Sequence, residues 1–232
     1  VEYYEEALGR ELDAATIRIE KCDLQVENPT LTDVLSGETA YFNLQLQNLS
    51  ETQTTSAYTL QLDALSNLQG ATLAVDGQYV ANGSVSFVLP YGTTEKTLAL
   101  TQTDRSVTKN EFQLRLISTN DPLNTYSAWR TLTATFIPSS AKVDLATDHT
   151  LINSTLTDGI KVSLLNLDRQ FEGLKGVRLQ YRRVGNNEWI LEKEWVMPAY
   201  ASQYPTAEAI PETGNLVHNM KFATDGTYEL RA

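Results

Sequence analysis

The sequence predicts an all-β chain built as two tandem β-sandwiches, and three observations carry that expectation. Apolar residues recur at every second position through most of the chain. Turn dipeptides punctuate those runs, and a Pro-Ser-Ser break divides them into two series. The 232 residues suffice for two domains of roughly 100 residues each. With 41% hydrophobic and 20% charged residues the chain can bury a core, which excludes wholesale disorder.

The first series is expected at residues 14–138. Ala40, Phe42, Leu44 and Leu46 alternate with polar Asn43, Gln45 and Gln47. The same alternation recurs at Tyr58/Leu60/Leu62, Ala71/Leu73/Val75, Val85/Phe87/Leu89, Phe112/Leu114/Leu116 and Leu132/Ala134/Phe136. One face of each strand is buried and the other is wet, the pattern of antiparallel strands in a sandwich of seven or eight strands. Ser36-Gly37, Asp76-Gly77, Tyr91-Gly92 and Asn120-Asp121-Pro122 separate the runs. Asp76-Gly77 predicts a two-residue hairpin, because both positions of that turn need positive φ. Residues 1–13 place Tyr4, Leu8 and Leu12 at helical spacing around Gly9, which suits a short connector.

A second series is expected at residues 139–232, after Ile137-Pro138-Ser139-Ser140. Its strands are expected at Val143–Leu145, Ile160–Leu164, Val177–Tyr181, Glu188–Trp195, Leu216–Phe222 and Tyr228–Leu230, with Gly185-Asn186-Asn187 as a tight hairpin. Between Met197 and Gly214 lies a three-proline stretch without periodicity, long enough to suggest a packing or binding loop.

In the second half, LQYRRVGNNEW resembles the third-strand hairpin of fibronectin type III and related immunoglobulin-like modules, and FATDGTYELRA resembles their penultimate strand. The resemblance implies a turn at Asp225-Gly226 and a corner tyrosine at Tyr228, whose hydroxyl would reach back to the backbone. It also implies one further strand after TYELRA, so the second sandwich is expected to lack its last strand. In the first half, LSGETAYFNLQLQNLS and VSFVLPYGTTEKTLAL resemble the adhesion-related immunoglobulin-like modules of large bacterial surface proteins. Neither half carries the cysteine pair of antibody-type domains.

Charge and motif content narrow the function. The formal charge is −11, and the acidity lies mainly in the first half, with 17 acidic against 8 basic residues up to Pro138 and 12 against 10 after it. Such a balance repels phosphate, which argues against nucleic acid or an anionic membrane surface as the main partner, and without an apolar spanning run no direct membrane insertion is expected. The start at Val1 shows no basic stretch leading into an apolar run, as expected of a processed protein or a piece of a longer one. Cys22 is the only cysteine, so no intrachain disulfide or multi-cysteine metal site is expected, and its acidic neighbours Glu20 and Asp23 suit a structural thiol. His149 and His218 have no ligand spacing around them. Glu192 and Glu194 stand two apart and are expected to share one wet face with no opposing carboxylate, unlike a glycosidase pair. The Ser118–Asn124 stretch is similar to the calcium-binding segment of cadherin linkers but lacks a supporting carboxylate set. No cofactor, metal or catalytic residue is therefore expected.

Two roles remain. One is a non-catalytic binding or spacer element of an extracellular bacterial surface or secreted protein, contacting neighbouring modules of its own polypeptide and a protein or glycan ligand. The other is an accessory carbohydrate-binding module, with Trp189, Trp195, Tyr200 and Tyr204 as a stacking platform; the same residues are candidates for an inter-module interface. Asn48, Asn82 and Asn153 match the glycosylation pattern, by chance if the source is bacterial.

Overall fold

The computed structural model describes residues 21–123, 125–137, 143–152 and 159–232. The connector expected at residues 1–13, the Pro138-Ser139-Ser140 break and Asn153 lie outside the described residues. Among the described residues, seventeen strands and one 3-10 turn make up the regular structure.

Ten strands form the first sandwich. One sheet runs β1 (Cys22–Val26), β3 (Ala40–Asn48), β8 (Gly92–Thr101), β5 (Thr72–Val75) and β6 (Gln78–Tyr79). The facing sheet runs β2 (Thr30–Leu35), β10 (Arg130–Ile137), β9 (Lys109–Ser118), β4 (Ser56–Leu62) and β7 (Ser84–Leu89). All pairings are antiparallel except β2 with β10. That exception arises because the chain changes sheets between β1 and β2. The amide of Glu27 still donates to Asn43 of β3, whereas the carbonyl of Pro29 already accepts from Thr133 of β10. Proline has no N–H to satisfy, so it can occupy the crossing.

The alternation read from sequence becomes the core. Phe42, Leu44 and Leu46 of one sheet and Phe112, Leu114 and Leu116 of the other are buried between the sheets. Phe42 and Phe112 meet edge to face with centroids 5.9 Å apart. Each such ring contributes roughly 1.5–3 kcal/mol by burial, with about 1 kcal/mol more from the pair. Asp76 and Gly77 have φ of 47° and 81° and close the β5–β6 hairpin as expected.

Asn48 is a buried polar exception. Its amide donates to the carbonyls of Thr54 (2.9 Å) and Leu89 (3.1 Å), and its Oδ1 accepts from Tyr58 Oη (2.8 Å) and the Ser50 amide (3.2 Å). All four hydrogen-bonding positions of the side chain are filled. An asparagine so enclosed cannot serve as a glycosylation acceptor in the folded chain.

The second sandwich pairs β11 (Asp144–Thr147), β12 (Ile160–Leu165) and β16 (Leu216–Met220) against β15 (Glu208–Ala209), β14 (Ile190–Val196), β13 (Gly176–Arg183) and β17 (Tyr228–Arg231). Its own core holds Ile160, Val162, Leu164, Leu179, Trp195, Leu216 and Met220. Three details differ from the expectation. The β13–β14 connection is six residues long, 184–189, not a tight hairpin. The Met197–Gly214 stretch contains a 3-10 turn at Pro198–Gln203 and the short strand β15, which adds in parallel to β14. The third difference is a bulge at Glu192, where Leu179 pairs with Lys193 but Gln180 pairs with Leu191. The extra residue shifts the alternation. Glu194 therefore pairs with Arg178 at 2.6 Å, whereas Glu192 reaches His218 of the facing sheet at 2.8 Å. The two carboxylates do not share a partner or a face.

Candidate functional site

The most elaborate polar constellation among the described residues lies where the two sandwiches meet. Alternation along β13 and β17 turns Leu179, Tyr181 and Leu230 toward the second core. It turns Gln180, Arg182, Glu229 and Arg231 outward, and the register sets Arg182 opposite Glu229 and Gln180 opposite Arg231. That outer face rests on the Glu38–Tyr41 corner of the first sandwich.

Arg182 is the centre of the contact, at 2% exposure. Its Nε donates to Glu229 Oε2 at 2.6 Å, and its Nη2 donates to the carbonyl of Thr39 at 2.8 Å, across the junction. Its guanidinium lies 5.0 Å from the Tyr41 ring centroid and 4.5 Å from that of Trp189. The other oxygen of Glu229 accepts from Tyr41 Oη at 2.9 Å. A buried arginine is tolerated only when its charge is paired and its N–H groups are used, and both conditions hold here. Beside it, Arg231 lies 4.3 Å from the Trp189 centroid, donates to Gln180 at 2.9 Å and pairs with Glu38 across the junction at 2.8 Å.

Asn187 completes the seam. Strand β1 ends at Val26, opposite Leu44, so β3 runs on past its neighbour. The Tyr41 amide donates to Asn187 Oδ1 at 3.0 Å, and Asn187 Nδ2 donates to the Tyr41 carbonyl at 2.7 Å. One side chain thus takes the place of a strand partner. Burial pushes the Tyr41 phenol up to about 12, with the Glu229 hydrogen bond and charge acting in the same direction and Arg182 opposing them. The site offers no activated nucleophile; it holds two surfaces together.

The residues expected from sequence stand in separate surroundings. Trp189 is half-buried at the junction against two guanidiniums. Trp195 is 2% exposed within the second core, edge-on to His218, and presents no face to a ligand. Tyr200 lies in the 3-10 turn with Lys175 Nζ 6.0 Å from its ring centroid, and Tyr204 follows that turn, both half-buried. The four therefore form no common platform. Tyr228 Oη donates to the Thr224 carbonyl at 2.9 Å, and its ring stacks on Phe222 at 4.2 Å. Asp225 and Gly226 make the turn between them, with Gly226 at φ 158° and the Asp225 carbonyl accepting from Arg183 at 3.2 Å. Cys22 is buried, its thiol 3.6 Å from the Leu116 carbonyl. In the Ser118–Asn124 stretch, Ser118 Oγ accepts from the amides of Asn120 and Asp121 and so closes the loop. Among the described residues no three His, Cys, Asp or Glu side chains converge as a metal site, and no helix is long and apolar enough to cross a membrane.

Arg182, Tyr41, Glu229, Asn187 and Glu38 were not legible as a site. The available signal was the alternation itself, which puts Arg182, Glu229 and Arg231 on one outward face beside Trp189.

No family model matches the chain, and no curated protein matches it in sequence. Among solved structures it is similar to the ASH / PapD-like domain of human CEP192, at 12% identity and a TM-score of 0.32, covering 57% of this chain and 97% of that one. It is also similar to the apo form of the Calx CBD1 domain, at 10% identity and a TM-score of 0.33, over 52% of this chain and 100% of that one. A third similarity is to MyfA, the major subunit of Myf fimbriae from Yersinia enterocolitica, at 14% identity and a TM-score of 0.31, over 52% and 99% of the two chains.

Proposed function

We propose that this chain is a non-catalytic pair of modules, residues 14–138 and 139–232, serving as a rigid spacer and binding element of an extracellular bacterial surface or secreted protein. The observation that carries the reading is the buried Arg182 knot. A flexible tether between independent modules has no use for a desolvated cation that reaches the backbone of its neighbour. Here Glu229 and Trp189 from one sandwich and Thr39 and Tyr41 from the other surround that cation. Interfaces between domains of one chain are polar and mobile by default, so a fixed one indicates that orientation is being held. The bacterial surface setting, adhesion included, rests on the resemblance of the 35–50 and 85–100 segments to such modules.

Residual dipolar couplings measured separately for the two sandwiches test the reading. A rigid spacer gives one shared alignment tensor for both. Two different tensors, or a scattering profile that requires a broad ensemble of inter-sandwich angles, would remove the basis for it.

A further inference from the structure

A second guanidinium, far from the junction in sequence, is arranged for recognition instead of assembly. Arg115 lies on the outer face of β9, cross-strand from Gln61 of β4, and its Nε donates to Gln61 Oε1 at 2.8 Å. The β9–β10 connection folds back beside it: Tyr126 bridges to Ile117, and Trp129 precedes the Arg130–Leu114 pair. The guanidinium carbon lies 5.0 Å from the Tyr126 centroid and 4.6 Å from that of Trp129, and the two rings remain 51% and 38% exposed.

Arg130, Arg178, Arg182 and Arg231 each face a carboxylate. Among the described residues Arg115 has none, and neither do Arg105, Arg169 or Arg183, but of these four only Arg115 lies against aromatic rings. With Nε committed to Gln61, neither terminal amino group has a hydrogen-bond or ion-pair partner among the described residues, which leaves a planar fork for a ligand. The rings and Gln61 restrict the side chain's rotamers before any ligand arrives, which lowers the entropic cost of binding. Hydroxyl and amide groups continue along the same sheet face. Gln113 meets Thr131 at 3.2 Å, and Thr59 meets Ser86 at 3.0 Å and Thr119 at 3.2 Å.

We propose that Arg115, Tyr126, Trp129 and Gln61 form a binding site for a carboxylated sugar, a uronic or sialic acid unit of a glycan. The guanidinium fork takes the carboxylate in a bidentate pair. The exposed aromatic faces take the C–H face of the pyranose, and the hydroxyl row meets its hydroxyls. A flat, hydroxylated surface suits a sugar better than an acidic peptide, which would look for apolar pockets. The acidic field of the chain opposes any anion, and a phosphate dianion more than a singly charged carboxylate. The site goes beyond the spacer reading and shares no residue with the junction, so either can fail alone.

The test is calorimetric titration of the full chain, with the Trp indole N–H signals followed by NMR. The probes are a glucuronate-containing tetrasaccharide, sialyllactose, the methyl ester of each, inorganic phosphate and a glutamate-rich peptide. At least one acidic sugar is expected to bind and shift one indole signal, with its ester at least about tenfold weaker, as the loss of one charge-assisted bidentate contact requires. Which of the two binds separates uronic from sialic recognition. Arg115→Gln and Arg115→Lys are each expected to lose at least about tenfold, because lysine keeps the charge but not the fork. Melting curves confirm that the variants fold, and the ester comparison stands without any variant. The proposal is overturned if neither acidic sugar binds, if the esters bind equally, or if the Arg115 variants bind as tightly as the parent. Tighter binding of phosphate or the peptide than of either sugar overturns it too.

Discussion

Arg182 Nε donates to Glu229 Oε2 at 2.6 Å within the second sandwich, while the other oxygen of that carboxylate accepts from Tyr41 of the first. The ion pair is thus shared between the two sandwiches. Replacing Arg182 by methionine keeps much of its volume but leaves Glu229 without its cation and Thr39 without its donor. Removing one partner of a buried pair costs about 3–5 kcal/mol, and the 31% exposure of the Glu229 side chain moves the figure toward the lower end. Chemical denaturation should show that loss, and dipolar couplings should separate into two tensors. An unchanged stability together with an unchanged tensor would show the pair to be ornamental.

Tyr41 makes the junction sensitive to alkali. Its phenol titrates near 12 in the folded chain, raised from 10. A proton held more tightly in the folded state stabilises it fully below pH 10, and that stabilisation is lost as pH rises through 12. The shift corresponds to roughly 1–2 kcal/mol once solvent screening at a partly hydrated junction is allowed for. Unfolding curves at pH values between 9 and 12 should therefore show a decline that Tyr41→Phe largely removes. A parallel decline in Tyr41→Phe would assign the effect to other groups.

Asn48 anchors the end of β3 with four hydrogen bonds. Asn48→Leu deletes all of them at once and is expected to cost about 3 kcal/mol or more by denaturation. Asn48→Asp is nearly isosteric, but it brings acceptor oxygens up to the Thr54 and Leu89 carbonyls. It should therefore be less damaging at acid pH, where the protonated carboxyl can donate to one of them. Equal damage at acid and neutral pH would contradict this account.

The sheets were more legible than the junction, for a physical reason. Alternation marks which side of a strand meets its own core, so Phe42, Leu44, Leu46 and Phe112 could be placed inside from the sequence. Backbone conformation is equally local, and Asp76-Gly77 adopts the turn its chemistry favours. Strand β2, TLTDVL, has no clean alternation because it lies at a sheet edge, and nothing local indicates that it pairs in parallel with β10. The bulge at Glu192 reversed the facing of two carboxylates that simple period-two counting puts together. Arg182 could be assigned to an outward face, but outward for one sandwich is inward for the pair, and only the docking of the second surface reveals that.

Gly176 and Gly173 separate two reasons for a glycine within a few residues of each other. Gly176 opens β13 opposite Val196, and a Cβ there would collide with the Trp195 carbonyl and lie 3.3 Å from the Val196 Cα. Both obstacles are backbone, so they move only if the β13–β14 pair opens. Gly173 has nothing within 4 Å of its Cβ position but holds φ at +85°, where an L side chain is strained. Gly173→Ala should cost about 1 kcal/mol, the strain of the left-handed backbone alone. Gly176→Ala should cost more, about 2–3 kcal/mol, in the range of overpacking against atoms that cannot move aside. Amide exchange should localise the damage as well, with faster exchange along β13 and β14 in Gly176→Ala and only local change in Gly173→Ala. The reverse order of stabilities would mean that the close approach at Trp195 relaxes freely and that the backbone conformation at Gly173 is the more demanding constraint.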